Sequence, residues 1–257
     1  MIDKKYAYPD KMSQLLLSTL LVLSVFQPAA MYYFTHYVYA QQWPAAFCIQ
    51  DQEECAFPKN ISSWTVHGLW PSVNESYPAG CNNSWSLNKS TIDPLLDEMR
   101  AKWPTLNFNP EATSWEFWEH EWSKHGTCAA NVSMLHGPYN FFKFALALNS
   151  KYNLLEQLGA HPFNIAPGND SSYSYKQLEA ATKLIYDEEV LLGCDWDGER
   201  QYLAQIEICF DKSFQLNCDP EWKVRRSKIL SSRVGFPHIE ECRKNESIWY
   251  LPIPHSD

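Results

Sequence analysis

Residues 118–128 read Trp118-Glu119-His120-Glu121-Trp122-Ser123-Lys124-His125-Gly126-Thr127-Cys128. Within six of these residues lie two imidazoles, a carboxylate and an ammonium group, carried by His120, Glu121, Lys124 and His125. Trp118 and Trp122 can anchor the same segment in a core. Such a set of groups is typical of acid/base chemistry on an anion.

No proline interrupts residues 114–125, and Gly126 follows them. This pattern predicts a short helix that ends near His125. At about 100° per residue, the four ionisable side chains would project within an arc of about 140°.

A zinc protease is the first alternative, because a helix with two histidines four residues apart and an adjacent glutamate is its motif. Here the histidines lie five residues apart, about 140° from each other, so they are not expected to chelate one ion. An aromatic helix with a solvated charged face is the second alternative. Four functional groups of suitable kinds, closed by Gly-Thr-Cys, argue against it. No metal and no cofactor are expected.

The chain begins with a charged leader followed by a short apolar run. Residues 15–26 are apolar apart from three serine or threonine residues, and Ala29 and Ala30 follow. This run is too short for a membrane span and indicates a secretory signal at residues 1–30. Cleavage after Ala40 is the alternative, but it would discard residues 33–43, which alternate as a strand does. Residues 31–257 are expected to form one domain, secreted or lysosomal, monomeric and without a membrane anchor.

Cysteines and glycosylation sequons support export. Eight cysteines lie after the leader, an even number suited to four disulfides in an oxidising compartment, although eight cysteines allow 105 pairings. The absence of a Cys-x-x-Cys pair argues against a zinc ribbon or a thioredoxin-like site. Asn-x-Ser sequons occur at seven asparagines: Asn60, Asn74, Asn82, Asn88, Asn131, Asn169 and Asn245.

A second informative stretch, Ser63-Trp64-Thr65-Val66-His67-Gly68-Leu69-Trp70-Pro71, lies between Cys55 and Cys81. Its aromatic and β-branched residues predict a strand, which Gly68 and Pro71 should end or bend, so His67 would lie at a strand end.

The remaining chain mixes helices and strands without regular alternation. Helices are predicted at residues 92–103, 138–158 and 174–186, the last with a capping start at Ser174. Residues 202–210 alternate as a half-buried strand does, and the chain beyond them is expected to be rich in loops. This mixture favours an α+β fold.

Together, His67-Gly68-Leu69-Trp70-Pro71 and His120-Glu121-Trp122-Ser123-Lys124-His125-Gly126-Thr127-Cys128 resemble the two active-site segments of the ribonuclease T2 family. The resemblance extends to Gln42-Trp43-Pro44, to Ile206-Glu207-Ile208-Cys209 and to the cysteine spacing, and it is greatest to the animal members. It implies an α+β fold with a central antiparallel sheet, flanking helices and four disulfides. It also implies metal-independent cleavage of single-stranded RNA through a 2′,3′-cyclic phosphate.

The resemblance implies a role for each matching residue. His125 would be the base that takes the 2′-hydroxyl proton, and His67 the acid that protonates the leaving 5′-oxygen. His120 would hold the phosphate, and Glu121 and Lys124 would stabilise the phosphorane. Trp70 would stack a base. By the same resemblance the disulfides would be Cys48–Cys55, Cys81–Cys128, Cys194–Cys242 and Cys209–Cys218.

Net charge and base contacts add three expectations. Without residues 1–30, 18 basic and 28 acidic residues remain, a net charge of −10, so RNA would bind through a few local cations and aromatic rings. Histidine protonation should then favour an acid optimum, below about pH 6.5. Base preference should be low, because Ser72 stands where some family members carry an acidic residue that reads adenine; Tyr77 and Trp85 could add base contacts, although packing is their commoner role.

A secreted glycoprotein that acts by binding a receptor or other partner, with catalysis incidental, is the alternative function. The presence of His67, His120 and His125 argues against it, because inactive relatives would be expected to have lost a motif histidine.

Overall fold

The computed structural model describes residues 33–49, 58, 61–74, 76–106, 114–231 and 239–254. All of them fall within one compact unit, Tyr33–Asp257. The predicted leader at residues 1–30 lies outside the described residues, as do Cys55 and Asn60. Among the residues described, no helix has both the length and the apolarity needed to cross a membrane.

A largely antiparallel sheet forms the centre of the fold. Its main path runs in the order β2-β1-β5-β4-β6, while β7 pairs in parallel with the first residues of β5 and antiparallel with β3. The strands are β1 His36–Gln42, β2 Thr65–Ser72, β3 Ser172–Tyr173, β4 Leu191–Trp196, β5 Gln201–Asp211, β6 Glu240–Glu241 and β7 Ile248–Trp249.

Helices flank the sheet on both faces. They are α1 Lys89–Ile92, α2 Leu96–Lys102, α3 Ser114–Glu121, α4 Thr127–Ala129, α5 Pro138–Lys151, α6 Leu154–Gly159, α7 Tyr175–Tyr186 and α8 Trp222–Ser231. A π-helical turn, Trp122–Gly126, joins α3 to α4. The α+β fold expected from the sequence is therefore confirmed.

The main core lies between the sheet and α5. On β1, Tyr37 and Tyr39 face this core, and the Tyr39 hydroxyl donates to the carbonyl of Ala145 on α5 at 3.2 Å. On β5, alternate residues Ile206 and Ile208 face it as well. Burial of these apolar side chains is the main favourable contribution to folding.

The opposite face of the sheet is buried too, which the sequence did not predict. Helix α8 covers β4 and β5 there, with Trp222 and Leu230 packing on Leu191 and Cys209. The strand expected at residues 202–210 is present as β5, but the expectation that it is half-buried is wrong, because the polar side chains Gln205 and Glu207 are 1% and 0% exposed beneath this helix.

The bounds of several predicted helices also differ. The helix expected at residues 92–103 begins at Lys89 and changes to a 3₁₀ turn at Asp93–Leu95, because Pro94 lacks the amide hydrogen that a regular helix requires. The helix expected at residues 138–158 is two helices, α5 and α6. By contrast, α7 begins with the predicted capping box of Ser174 and Gln177.

Three predicted disulfides are present among the described cysteines: Cys81–Cys128, Cys194–Cys242 and Cys209–Cys218. The fourth, Cys48–Cys55, is not tested, because Cys55 lies outside the described residues. The first of the three connects the loop after β2 to α4, and within the same contact the amide of Gly80 donates to the carbonyl of Lys124 at 3.0 Å.

Candidate active site

A β-bulge at His67 shapes the strand that carries the first motif. In the pairing of β2 with β1, Gly68 lies opposite Ala40 and Val66 opposite Gln41, so His67 is the extra residue. The extra residue allows both Val66 and Leu69 to enter the main core while Trp70 faces the other side with Val38 and Ala40. The imidazole of His67 lies 5.1 Å from the Trp70 ring, between centroids.

His67 is the third residue of an eight-residue strand, not a strand end. The sequence-based expectation failed because β2 lies at the edge of the sheet. An edge strand tolerates proline, whose missing amide hydrogen can face away from the neighbouring strand, so β2 continues through Pro71 to Ser72.

The second motif lies on a helix that does not end at His125. After α3 the chain forms the π-helical turn Trp122–Gly126 and then continues as α4 to Ala129. A Cβ atom at position 126 would clash with the ring of Trp122, so glycine permits the close approach of this turn to its own indole. Single π turns of this kind widen the helix by one residue and frequently occur at functional sites.

The π turn brings three ionisable groups together. Single nitrogen or oxygen atoms of His120, Glu121 and His125 all lie within 4.8 Å of one another. The sequence-based statement that the histidines are too far apart to meet at one ion is therefore wrong, because it assumed regular α-helical geometry. These three residues could hold a metal ion, and the test of metal dependence must be chemical.

Trp70 connects the two motifs. Its indole Nε1 donates to Glu121 Oε2 at 3.0 Å, and its ring lies 5.9 Å from that of His125, between centroids. Trp70 therefore contacts an imidazole from each motif. It is 3% exposed, so stacking of a base on Trp70 would require the ring to become more exposed.

Exposure differs within the cluster. Glu121 and His125 are 3% and 4% exposed, whereas His120 is exposed and His67, Lys124 and Tyr77 are partly exposed. Tyr77 lies beside His125, with ring centroids 5.6 Å apart, and Lys124 Nζ lies 5.6 Å from the centroid of Tyr77. Although His120 is exposed as a residue, partial desolvation of its ring by the surrounding protein, and secondly the charge of Lys124, lower its pKa below the usual 6.5.

Two further aromatic or polar candidates have other contacts. The ring centroid of Trp85 lies 5.1 Å from that of Trp122 and 5.2 Å from that of His136. Trp85 therefore packs against the helix that carries the second motif. Ser72 is buried, and its hydroxyl donates to the carbonyl of Trp70 at 3.1 Å.

A group of buried polar residues behind the site was not predicted. Nδ1 of His67 is hydrogen-bonded to Oε1 of Gln205, whose Nε2 donates to Glu207 Oε1 at 2.6 Å. Arg226 of α8 forms an ion pair with Glu207 and lies 4.7 Å from the centroid of Trp70. The available signal was the placement of Gln205 and Glu207 at alternate positions of the otherwise apolar stretch Tyr202 to Phe210.

Comparison with known proteins identifies the class of this fold and site. The family model of the ribonuclease T2 family matches residues 34–229. Ribonuclease T2 of Danio rerio is 37% identical over 225 residues, which are 85% of this chain and 88% of the relative. The crystal structure of human RNase T2 matches with a TM-score of 0.67 and 29% identity, covering 85% of this chain and 99% of that one.

A third relative was crystallised with a nucleotide. RNase NT in complex with 5′-AMP matches with a TM-score of 0.70 and 29% identity, covering 86% of this chain and 100% of the other. The fold is that of ribonuclease T2 structures, and these relatives identify the chain as an endoribonuclease. The chain belongs to the ribonuclease T2 family.

Proposed function

We propose that this endoribonuclease cleaves single-stranded RNA by transesterification, without a metal ion, and forms a 2′,3′-cyclic phosphate. His125 takes the proton of the 2′-hydroxyl, whose oxygen attacks phosphorus. The bond from phosphorus to the 5′-oxygen breaks, and His67 donates a proton to that oxygen. One base and one acid on separate elements supply what this reaction requires.

The observation that carries this proposal is the arrangement around Trp70. This buried indole contacts both His67 on a strand and His125 on a helix, with ring centroids 5.1 and 5.9 Å apart, and it holds Glu121 by a hydrogen bond. A buried ring that contacts both imidazoles can fix their positions, which suits an acid and a base that act on one phosphate. Preorganised groups of this kind need no rearrangement during reaction.

The remaining groups suit the developing charge. His120 is exposed and holds the phosphate when it is protonated. Glu121 and Lys124, which follow His120 in the sequence, steady the pentacoordinate phosphorane. The lowered pKa of His120 supports an acid optimum, because this side chain carries its positive charge only in more acidic solution.

Base recognition is proposed to be weak. Tyr77, partly exposed next to Lys124, is suited to stack a base, and Trp70 would join it only after its ring becomes exposed. Ser72 cannot replace an acidic residue in reading adenine, and its hydroxyl is directed to the backbone of Trp70. Binding of 5′-AMP by RNase NT supports a nucleotide site on this fold.

We propose that the protein is secreted or lysosomal and monomeric. The sequence of residues 1–30, the cysteines that pair in three described disulfides and the sequons support export. The six described sequon asparagines are all exposed: Asn74, Asn82, Asn88, Asn131, Asn169 and Asn245. Exposure is what a bulky glycan requires.

The deciding experiment is cleavage of a single-stranded RNA and a matching DNA between about pH 4 and 8, with a chelator present. We expect cleavage of RNA alone, highest in acid, with 2′,3′-cyclic ends. His67→Ala and His125→Ala should abolish it, whereas the exposed His161→Ala should not. Loss of cleavage in the chelator would instead assign His120, Glu121 and His125 to a metal. Full activity of both histidine variants would refute the proposed acid and base.

A further inference from the structure

Behind the site, three buried polar residues on β5 and α8 form a group that the proposed chemistry does not use. Gln205, Glu207 and Arg226 are 1%, 0% and 3% exposed, and we call them the buried triad. Burial of a carboxylate and a guanidinium costs free energy unless the two are paired and hydrogen-bonded. Here they are, because Arg226 Nε and Nη2 donate to both oxygens of Glu207 at 2.6 and 2.9 Å.

The ion pair fixes which way the amide of Gln205 points. A carboxylate engaged by arginine only accepts hydrogen bonds, so the Gln205 atom 2.6 Å from Glu207 Oε1 must be its NH₂ group. The carbonyl oxygen of Gln205 therefore faces His67. This orientation follows from the hydrogen-bonding network and not from the shape of the amide.

The amide in turn fixes the tautomer of His67. Because Gln205 Oε1 can only accept, the hydrogen-bonded Nδ1 of His67 must carry a hydrogen. Nε2 is then the nitrogen that gains and loses a proton. A general acid needs one defined nitrogen to hold the proton that it donates, and a fixed Nδ1–H assigns this task to Nε2.

The same ion pair also reaches the other motif. The guanidinium of Arg226 lies 4.7 Å from the centroid of Trp70, a cation–π distance, and the Trp70 indole holds Glu121 on the helix. One buried pair thus supports a residue of each motif.

We propose that the buried triad is a positioning group, in which Glu207 and Arg226 hold Gln205 so that His67 keeps its hydrogen on Nδ1 and presents Nε2 to substrate. The inference rests on the proposed acid role of His67. None of the three residues touches the reacting atoms; they act through His67 and Trp70. Hydrogen-bonding partners that orient a histidine in this way are known to affect activity strongly in metal sites.

The first test needs no variant. In protein labelled with ¹⁵N-histidine, the ring-nitrogen shifts of neutral His67 should be those of the Nδ1–H tautomer. The assignment is made by the loss of one signal in His67→Ala. A neutral His67 protonated on Nε2 would overturn the inference, whatever the activity.

The second test removes the middle of the triad. Gln205→Leu should shift neutral His67 towards Nε2–H and lower kcat about 10- to 100-fold with little change in KM. Gln201→Leu is the matched control, since Gln201 is on the same strand, is 2% exposed and donates to the carbonyls of Arg243 and Glu246. It should lose a similar amount of stability and keep both kcat and the His67 tautomer.

Removal of the ion pair is tested by replacing both partners, because a single replacement leaves an unpaired buried charge. Glu207→Leu combined with Arg226→Met should give the same tautomer shift as Gln205→Leu. A folded Gln205→Leu enzyme with unchanged tautomer and kcat would overturn the positioning role while leaving the proposed function intact. Full activity of His67→Ala would instead remove the proposed function.

Discussion

Trp70 Nε1 and Glu121 Oε2 meet at 3.0 Å directly beside the α-carbon of Gly68. A Cβ atom at position 68 would clash with the Trp70 indole nitrogen and lie 2.6 Å from Glu121 Oε2. The hydrogen bond that connects the two motifs therefore depends on the absence of a side chain between them.

Gly68→Ala should separate Trp70 from Glu121. The free energy of unfolding should fall by about 1–3 kcal/mol, as it does when a core is overpacked. The value of kcat should fall by more than this loss of stability alone would explain. Urea unfolding and steady-state cleavage measure the two effects. Gly159→Ala is the control, because its Cβ would meet nothing within 4 Å. A Gly68→Ala enzyme with normal kcat would contradict the importance of this contact.

Trp70→Phe keeps a ring and deletes the donor to Glu121. The buried carboxylate oxygen then loses a hydrogen bond, which should cost about 1–3 kcal/mol of stability. Trp43→Phe is a matched control, since Trp43 is 1% exposed and its Nε1 donates to the carbonyl of Leu251 at 2.8 Å. Both variants should be destabilised, but kcat should fall only in Trp70→Phe. Equal kcat values in the two variants would show that the Trp70–Glu121 hydrogen bond does not matter for activity.

His120 should titrate below its ordinary pKa of 6.5, because burial and then Lys124 lower it. Activity that needs charged His120 should therefore decline as the pH rises through this lowered pKa, and so at a pH below 6.5. In Lys124→Met the NMR titration midpoint of His120 should rise, yet stay below 6.5, since burial remains. A midpoint that does not move, or that falls, would show that Lys124 does not act on this imidazole.

His36, on β1, should make the protein less stable in acid. Burial first, and then the charges of Arg225 and Arg226, lower its pKa to about 4, whereas Asp219 opposes them. As the pH is lowered, His36 takes up a proton near pH 6.5 in the unfolded chain but only near pH 4 in the folded chain. The free energy of unfolding therefore decreases as the pH falls from 6.5 to about 4. The fall in Tm between these pH values should be smaller in His36→Asn than in the wild type. His161 is exposed, and His161→Asn should show the same fall in Tm as the wild type.

The Cys81–Cys128 bridge closes a separation of 47 residues, and its removal should cost about 4 kcal/mol by the loop-entropy relation. The matched control is the Cys209–Cys218 bridge, with a separation of 9 residues, for which the same relation gives about 2.5 kcal/mol. Double alanine variants and denaturant unfolding compare the two. Activity should fall more in the first, because that bridge ties the helix of His125 to the loop after β2.

Local patterns predicted much of this fold. The alternation of β1, the capping box of Ser174 and Gln177 and the turn residues at the ends of helices are properties of short segments, which the sequence displays directly. The disulfide pairing was available only through the resemblance to a family.

Helix α8 was missed because its buried side chains do not form an apolar stripe. It buries Trp222 and Leu230 near its ends and the charged Arg226 between them. An arginine inside a protein is stable only beside its partner Glu207, which lies on a distant strand. Tertiary pairing of this kind has no periodic signal, and the same is true of the β-bulge and the π turn.

Both proposed proton-transfer residues lie where one extra residue interrupts a regular strand or helix. His67 lies in the bulge of β2, and His125 lies in the π turn. Insertions and deletions of single residues therefore act on this enzyme differently from substitutions. Deleting one residue from either irregularity would leave composition and core nearly unchanged and would regularise the backbone. It would also rotate one imidazole away from the other. Such a deletion variant would still fold, but His67 and His125 would no longer face the same site.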